Sequence, residues 1–270
     1  MSDASIATAE DFARPAKAAK RAGRKGRYFF LGAALLMLAG ALLSFSSTFY
    51  LRGIVLPPRP PLPIRGYLIL HGMVMTSWYT LFAVQAFLVG SGRPKLHRRL
   101  GVAGAILAAC VVLTGGYAAW KLPAHILAVA GLPLSQQIQF HVHEIVIGDL
   151  AMLPFFAGLV TAAILLRRRR EWHGRLMYWA FVITLGPLFG GGGTRMLTPA
   201  LEMVLPTGWQ YFVIATLAVA PAALLVHDLR VRRRVHPATL VGWAVVALAE
   251  FAGAAIAETA AGQAFFLSLA

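Results

Sequence analysis

Residues 139–166 read QFHVHEIVIGDLAMLPFFAGLVTAAILL, and the run RRRR follows at 167–170. This stretch is long enough to cross a bilayer, because about 20 apolar residues suffice for one transmembrane helix. A charged side chain near the bilayer centre costs about 2.5–3.5 kcal/mol on insertion scales, so such residues usually face protein or water. The first half of this helix carries four ionisable residues: His141, His143, Glu144 and Asp149. We therefore expect this helix to take part in the function of the protein.

The composition of the whole chain is that of an integral membrane protein. Of its 270 residues, 59% are hydrophobic, and the mean hydropathy is +0.70, which is outside the usual range of soluble globular domains.

Residues 1–27 are polar, Ala-rich and basic, and they lack the apolar run and cleavage site of a secretory signal. We expect this tail to stay in the cytoplasm and to be disordered. The single Cys110 excludes an intrachain disulfide.

The net charge of +15 would suggest nucleic acid in a soluble protein, but here the positions of the charges indicate topology. Most of the Lys and Arg residues fall in four clusters, at 14–27, 93–99, 167–175 and 230–234. If all four lie inside, the intervening spans alternate as the positive-inside rule requires. We therefore predict a bacterial inner-membrane protein with a cytoplasmic N-terminus and a periplasmic C-terminus. The partners are the bilayer itself, anionic lipid at the basic turns and no nucleic acid.

Hydropathy predicts an all-α integral membrane bundle of about seven transmembrane helices, in which spans 2–5 form a four-helix core. Residues 28–258 form the transmembrane domain, between the basic tail 1–27 and a short C-terminal tail, 259–270. Residues 121–138 are too short and too interrupted by Pro and Gly to cross, so we expect an outer loop with an interfacial turn of helix there. The predicted spans are 28–50, 66–89, 101–120, 139–166, 175–190, 209–227 and 238–257.

Two stretches resemble a family of bacterial multi-pass predicted membrane proteins of unknown function. They are HGMVMTSWYTLFAVQAFLVGSGRPKLHRRLG at 71–101 and RRRREWHGRLMYWAFVITLGPLFGGGGTR at 167–195. The resemblance covers residues 66–196 and implies a four-helix membrane core, but it brings no activity. The matching positions are His71, Gln85, His97, Arg98, Gly101, His173, Met177 and Arg195.

Histidines and a carboxylate near the outer face form the first candidate site. Imidazole and carboxylate together suit a transition metal, and two imidazoles at one depth suit the axial positions of a b-type haem. His141 and Glu144 are three residues apart and share a helix face, so we expect His141 rather than His143 to point inward with Glu144 and to meet His71. The alternative is a hydrogen-bonded network that closes the top of the bundle.

The inner histidines His97 and His173 form a second candidate pair. Together with His71 and His141 they resemble the arrangement of four-helix membrane b-type cytochromes, which carry one haem near each face. Both inner histidines lie among arginines in turns, so the alternative is that they are solvated or contact lipid phosphate.

Three functional hypotheses follow. The first is a metal or b-type haem that serves membrane electron transfer or redox assembly. The second is a non-redox small transporter or sensor in which Asp149, Glu250 and Arg195 carry a proton, cation or ligand, with Gln85 a further polar residue inside the membrane. The third is a structural subunit of a larger membrane complex. The sequence contains no phosphate-binding loop, no HExxH pair and no Gly-flanked nucleophilic Ser, so it names no enzymatic reaction.

Overall fold

The structure is a computed structural model, and it describes residues 28–54, 63–130, 136–186 and 215–269. Within these ranges the chain is helical and contains no β-strand. Short π-helical turns lie at Ser46–Tyr50 and Ala215–Val219, and a 3-10 turn at Ile183–Leu185. The α-helices are α1 Tyr28–Ser44, α2 Gly66–Gly90, α3 Pro94–Ala130, α4 Gln136–Leu165, α5 Arg170–Val182, α6 Ala220–Arg232, α7 Pro237–Glu258 and α8 Ala260–Ser268.

Four of these helices are long and apolar enough to cross a membrane. They are α2, the Pro94–His125 part of α3, the His143–Leu165 part of α4, and α7. The fold is therefore an all-α membrane bundle, as predicted. In the described residues α1 has 17 residues, and α5 and α6 have 13 each. Helices α1 and α5 are followed by the turns at Ser46–Tyr50 and Ile183–Leu185, and α6 is preceded by the turn at Ala215–Val219. Because the described residues stop at 186 and resume at 215, the count of seven stays a prediction.

Helix α3 runs well beyond the predicted end of its span. The expected outer loop at 121–138 was wrong over residues 121–130, which continue α3, and over 136–138, which begin α4. Pro123 lies inside α3, where it removes one backbone hydrogen bond. The residues around it, such as Ala124, Leu127 and Ala128, are strong helix formers, so the helix continues through the proline. The prediction gave too much weight to one helix-breaking residue, Pro123.

The core is built around aromatic rings contributed by α2, α4 and α5. Trp78 of α2 packs edge-on against Phe156 of α4, with ring centres 5.3 Å apart. Phe82, one turn further along α2, stacks on Phe181 of α5 at 4.2 Å. Such pairs contribute about 0.5–1.5 kcal/mol each beyond the area that they bury. Helix α7 completes the bundle by packing along both α4 and α5, so the packed core includes more than spans 2–5.

Glycines let α7 approach its neighbours closely. A Cβ on Gly242 would overlap with Cδ1 of Trp179, which is fully buried on α5. A Cβ on Gly253 would lie 3.1 Å from the Cα of Gly148 on α4. Small residues at helix contacts are typical of membrane bundles, because they allow the backbones to pack against each other.

Three turns between helices meet at one end of the bundle. The imidazoles of His97 and His173 are 6.0 Å apart, so the α2–α3 turn lies beside the α4–α5 turn. Arg232 Nη1 lies 3.1 Å from Glu171 Oε1, which brings in the α6–α7 turn. We call this the basic end, defined by residues 91–99, 166–175 and 230–236, because three of the four basic clusters lie in it.

The start of α1 lies at the same end. The ring of Phe29 stacks on that of His227, near the end of α6, with ring centres 4.3 Å apart. The fourth basic cluster, 14–27, ends one residue before α1, although its own structure lies outside the described residues. The contacts therefore gather the basic turns at one end, as the positive-inside rule predicts for successive spans.

Candidate functional site

A buried ionic network at the basic end holds three helices together. Arg175 of α5 is 2% exposed, and its Nε donates to Oδ1 of Asp228 on α6 at 3.0 Å. Its Nη2 also donates to the same oxygen, and its Nη1 donates to the Glu171 carboxylate. The other carboxylate oxygen of Asp228 accepts the Thr239 hydroxyl at 2.6 Å and the backbone N–H of His236 at 3.0 Å. The Asp228 carboxylate thus connects helices α5, α6 and α7.

The network sets the protonation of its own carboxyl groups. Burial raises the pKa of Asp228, but hydrogen bonds from Arg175, Thr239 and the His236 N–H outweigh burial, so its pKa lies below the ordinary value. Burial likewise raises the pKa of Glu171, and the hydrogen bond and charge of Arg175 reverse the shift. Both groups are therefore ionised at neutral pH. This network holds the bundle together structurally, and the sequence analysis did not identify it.

The two inner histidines, His97 and His173, contact each other, and their role as cofactor ligands stays a prediction. The rings of His97 and His173 are 6.0 Å apart and nearly perpendicular, at 83°. His173 Nδ1 lies 2.9 Å from the carbonyl oxygen of Ala163. A carbonyl can only accept, so Nδ1 carries the proton and Nε2 is the bare nitrogen in the neutral ring. His97 Nδ1 is buried and has no hydrogen-bond partner among the described residues, and the same holds for Oε1 of Gln85.

His71 faces α3 within the membrane part of the bundle. Its Nδ1 lies 3.1 Å from the Thr114 hydroxyl, which donates its own hydrogen to the carbonyl of Cys110 at 2.7 Å. The hydroxyl must therefore accept from His71 Nδ1–H, which leaves Nε2 of His71 as the bare nitrogen. The backbone of His141 lies in α4, but its side chain lies outside the described residues. The expected pairing of His71 with His141 thus stays a prediction.

His143 and Glu144 do not join His71 in a described cluster. His143 is 8% exposed, and its ring packs 5.1 Å from that of Phe266 on α8. Its Nε2 has no hydrogen-bond partner among the described residues, and the Glu144 side chain is half-buried. The described side chains contain no group of three or more His, Cys, Asp and Glu close enough to hold a metal ion. A metal set of His71, His141 and Glu144 therefore stays a prediction.

The intramembrane carboxyl groups lie near each other. Glu250 of α7 is 4% exposed, and the Thr216 hydroxyl donates to its Oε1 at 3.3 Å. Its Oε2 is buried and has no partner among the described residues. The half-buried Asp149 of α4 is close enough to Glu250 for their charges to interact. Arg195, which we expected to act together with Asp149 and Glu250, lies outside the described residues.

The position of this pair coincides with a close helix crossing. Asp149 directly follows Gly148, and Glu250 lies three residues before Gly253. At these two glycines α4 and α7 approach each other closely, since a Cβ on Gly253 would crowd the Gly148 backbone. A change of charge at the pair therefore acts at the contact between the two helices.

One histidine that the sequence analysis left unassigned is part of the bundle. His125 was interpreted as a loop residue, whereas it lies in α3 and is 7% exposed. Its ring lies 6.4 Å from that of Tyr67 on α2. The signal was available in principle, because His125 lies 11 residues after Thr114, about three helical turns along the same face.

Comparison with known proteins adds no assignment. The chain has no significant match among models of protein families, among curated proteins or among solved structures. The resemblances described for the sequence therefore stay predictions, and any function has to be argued from the geometry of the described residues.

Proposed function

We propose that this membrane protein takes up and releases a proton or a monovalent cation at the Asp149–Glu250 pair, as part of a small transporter or sensor. The observation that carries the proposal is the environment of Glu250. Its side chain is 4% exposed inside the bundle, one carboxylate oxygen has no partner among the described residues, and a second carboxyl group lies nearby.

Burying a charged side chain away from water costs free energy. An ionised carboxylate out of water is strongly disfavoured unless a cation or hydrogen-bond donors compensate it. Among the described residues, Glu250 has one donor, Thr216, and no ion pair. A second negative charge on Asp149 would add repulsion. The pair is therefore suited to hold a proton or a cation between its two carboxyl groups.

The close crossing of α4 and α7 provides a way to use that event. Loading the pair removes repulsion between the two helices, and unloading restores it. The two helices are closely packed at Gly148 and Gly253. A change in repulsion between the carboxyl groups therefore shifts the helices, because packed side chains cannot be compressed. This coupling is what a proton-linked transporter or a membrane sensor needs. We place the basic end in the cytoplasm, since the positive-inside rule assigns clustered Lys and Arg to that side.

The test is proton uptake by the purified full-length protein in detergent, read with an indicator dye after a step from alkaline buffer to about pH 7, where exposed carboxyl groups stay ionised. The Glu250→Gln variant is expected to take up one proton fewer than the wild type. Excess sodium or potassium should suppress the uptake if the pair also holds a cation. Glu258→Gln is the matched control, because Glu258 is an exposed carboxyl at the end of the same helix. Identical uptake by the wild type and Glu250→Gln would overturn the proposal.

A second candidate function, b-type haem or metal binding for membrane electron transfer, is favoured by the contact of His97 and His173. The imidazoles of His97 and His173, whose rings lie 6.0 Å apart, would hold such a group, and a haem would supply one-electron transfer. The surrounding arginines disfavour a bare divalent cation, whereas the propionates of a haem would be attracted to them.

Absorption spectra of the purified protein, oxidised and then reduced with dithionite, test this candidate. A Soret band with sharpened α bands on reduction, lost in His173→Ala, is the expected result. A colourless and metal-free protein from cells supplied with haem and iron would contradict it. His236→Ala is a matched control, because His236 lies at the same end outside the pair.

A further inference from the structure

Eight exposed basic side chains lie in the two turns, 91–99 and 166–175, whose histidine rings contact each other at the basic end. Helix α3 begins within the first of these turns, at Pro94, and helix α5 begins within the second, at Arg170. All eight side chains are exposed, and we call them the basic collar. They are Arg93, Lys95, Arg98 and Arg99 from the first turn, and Arg167, Arg168, Arg169 and Arg170 from the second.

The two halves of the collar are held together by the histidines between them. The ring of His97, which directly precedes Arg98, lies 6.0 Å from the ring of His173. His173 is in turn hydrogen-bonded to Ala163 near the end of α4, at 2.9 Å. Although the two turns are about 70 residues apart in the chain, their cations therefore converge on one surface.

The charge of the collar is not compensated within the described part of the chain. The ion pairs there involve only Arg175 and Arg232 as cations. Glu171, the one acidic residue in the two turns, is bound by both of them. In the collar itself, Arg167 donates to the carbonyl of Ile164 at 3.1 Å, which does not neutralise its charge. Eight uncompensated positive charges in two neighbouring turns attract an anionic ligand.

The depth of the collar indicates which anion that is. It follows the end of α2 and of α4 and lies at the beginning of α3, and all three are apolar enough to cross the membrane. The collar therefore lies at the level of the lipid headgroups, where anionic lipids attract basic clusters. Guanidinium groups bind phosphate oxygens in a two-pronged fashion, which adds geometric selectivity to the charge attraction.

We propose that the basic collar binds the phosphate of an anionic phospholipid headgroup between the α2–α3 and α4–α5 turns. The site uses the arginines rather than the imidazole rings, so it does not depend on whether His97 and His173 hold a cofactor. It is also independent of the proton or cation site, which lies within the membrane. The lipid would join the two helical hairpins α2–α3 and α4–α5 at the surface.

The experiment compares full-length variants in mixed micelles that contain either phosphatidylglycerol or phosphatidylcholine. The readouts are lipid retained in native mass spectrometry and the midpoint of thermal unfolding. Each basic residue near an anionic surface contributes enough that removing two should weaken phosphatidylglycerol binding about 30-fold. Arg98→Gln/Arg168→Gln removes one cation from each half of the collar. Arg233→Gln/Arg234→Gln removes the same charge from the third turn and serves as the control.

The proposal expects phosphatidylglycerol to be retained and to raise the unfolding midpoint of the wild type and the control variant. In Arg98→Gln/Arg168→Gln both effects should be lost. Equal losses in the two double variants would overturn it, because net charge alone would then explain the binding. Displacement of the lipid by millimolar inorganic phosphate would also overturn it, since the site would then be one for soluble phosphate.

Discussion

Arg175 and Asp228, 53 residues apart in sequence, form a buried ion pair in which Nε of the arginine lies 3.0 Å from Oδ1 of the aspartate. Neither side chain is more than 2% exposed. The remaining oxygen of Asp228 is satisfied by Thr239 and by the backbone of His236. The pair therefore fixes how α5, α6 and α7 meet at the basic end.

Removing one partner of this pair should destabilise the protein strongly. Arg175→Met leaves a buried carboxylate without its cation, and such single losses cost about 3–5 kcal/mol. The double variant Arg175→Met/Asp228→Asn should recover part of that loss, because no uncompensated charge remains. Thermal unfolding in detergent measures both, with the exposed Arg170→Met as a control. Equal midpoints for Arg175→Met and the wild type would show that the pair contributes nothing.

The same network predicts loss of stability in acid. The pKa values of Asp228 and Glu171 are lower in the folded protein than their ordinary values. A lowered folded pKa contributes stability that is complete above the unfolded value, about 4, and is lost as the pH falls through the folded value. The unfolding midpoint of the wild type should therefore drop below about pH 4. The Arg175→Met/Asp228→Asn variant should show a weaker drop, and a parallel drop in both proteins would exclude this origin.

His236 should add a second dependence at higher pH. Its Nδ1 accepts the N–H of Ala238 at 3.1 Å and so caps α7, which requires an unprotonated nitrogen. Burial, followed by the charges of Arg175 and Arg232, lowers the pKa of His236, although Glu171 and Asp228 act in the opposite direction. The cap is therefore complete above about pH 6.5 and is lost as the pH falls.

Two substitutions separate the cap from the titration. His236→Asn keeps an N-cap acceptor and should keep the stability while removing the pH dependence near neutrality. His236→Ala should cost about 0.5–2 kcal/mol at neutral pH. Unfolding midpoints measured between pH 5 and about 8 decide the matter. A pH profile of His236→Asn that matches the wild type would show that another group titrates.

Two glycines on different helices should differ in their tolerance of a methyl group. At Gly242 a Cβ would overlap with the buried Trp179 ring, so Gly242→Ala must displace α7 or the indole. Overpacking of this kind costs about 1–3 kcal/mol. At Gly158, also within a spanning helix, a Cβ meets nothing within 4 Å. Gly158→Ala should leave the unfolding midpoint unchanged or raise it slightly, and equal destabilisation by both would contradict the tight α5–α7 contact.

The sequence predicted the membrane class well because hydropathy is a local property. Each of the four spanning helices has a window of mean hydropathy between 1.4 and 2.0. The meeting of the basic turns was also predictable, since alternating spans bring them to one side. The contact between His97 and His173 follows from that topology, because each histidine lies in one of those basic turns.

Other contacts depend on helix rotation and on distant partners, which a single sequence does not specify. Asp228 is the one acidic residue in its basic turn, but nothing near it in the sequence identifies Arg175 as its partner. His143 lies two residues from His141, and its packing on Phe266 depends on where α8 returns to the bundle. The continuation of α3 through Pro123 shows that good helix formers and tertiary packing outweighed one proline.

The most direct test of the proposed function is an infrared difference spectrum of the purified protein between acidic and alkaline buffer, recorded for the wild type, Glu250→Gln and Glu258→Gln. We expect a carboxylic-acid C=O band for a buried, protonated group, present in the wild type and Glu258→Gln and absent in Glu250→Gln. A band that persists unchanged in Glu250→Gln would show that Glu250 takes up no proton.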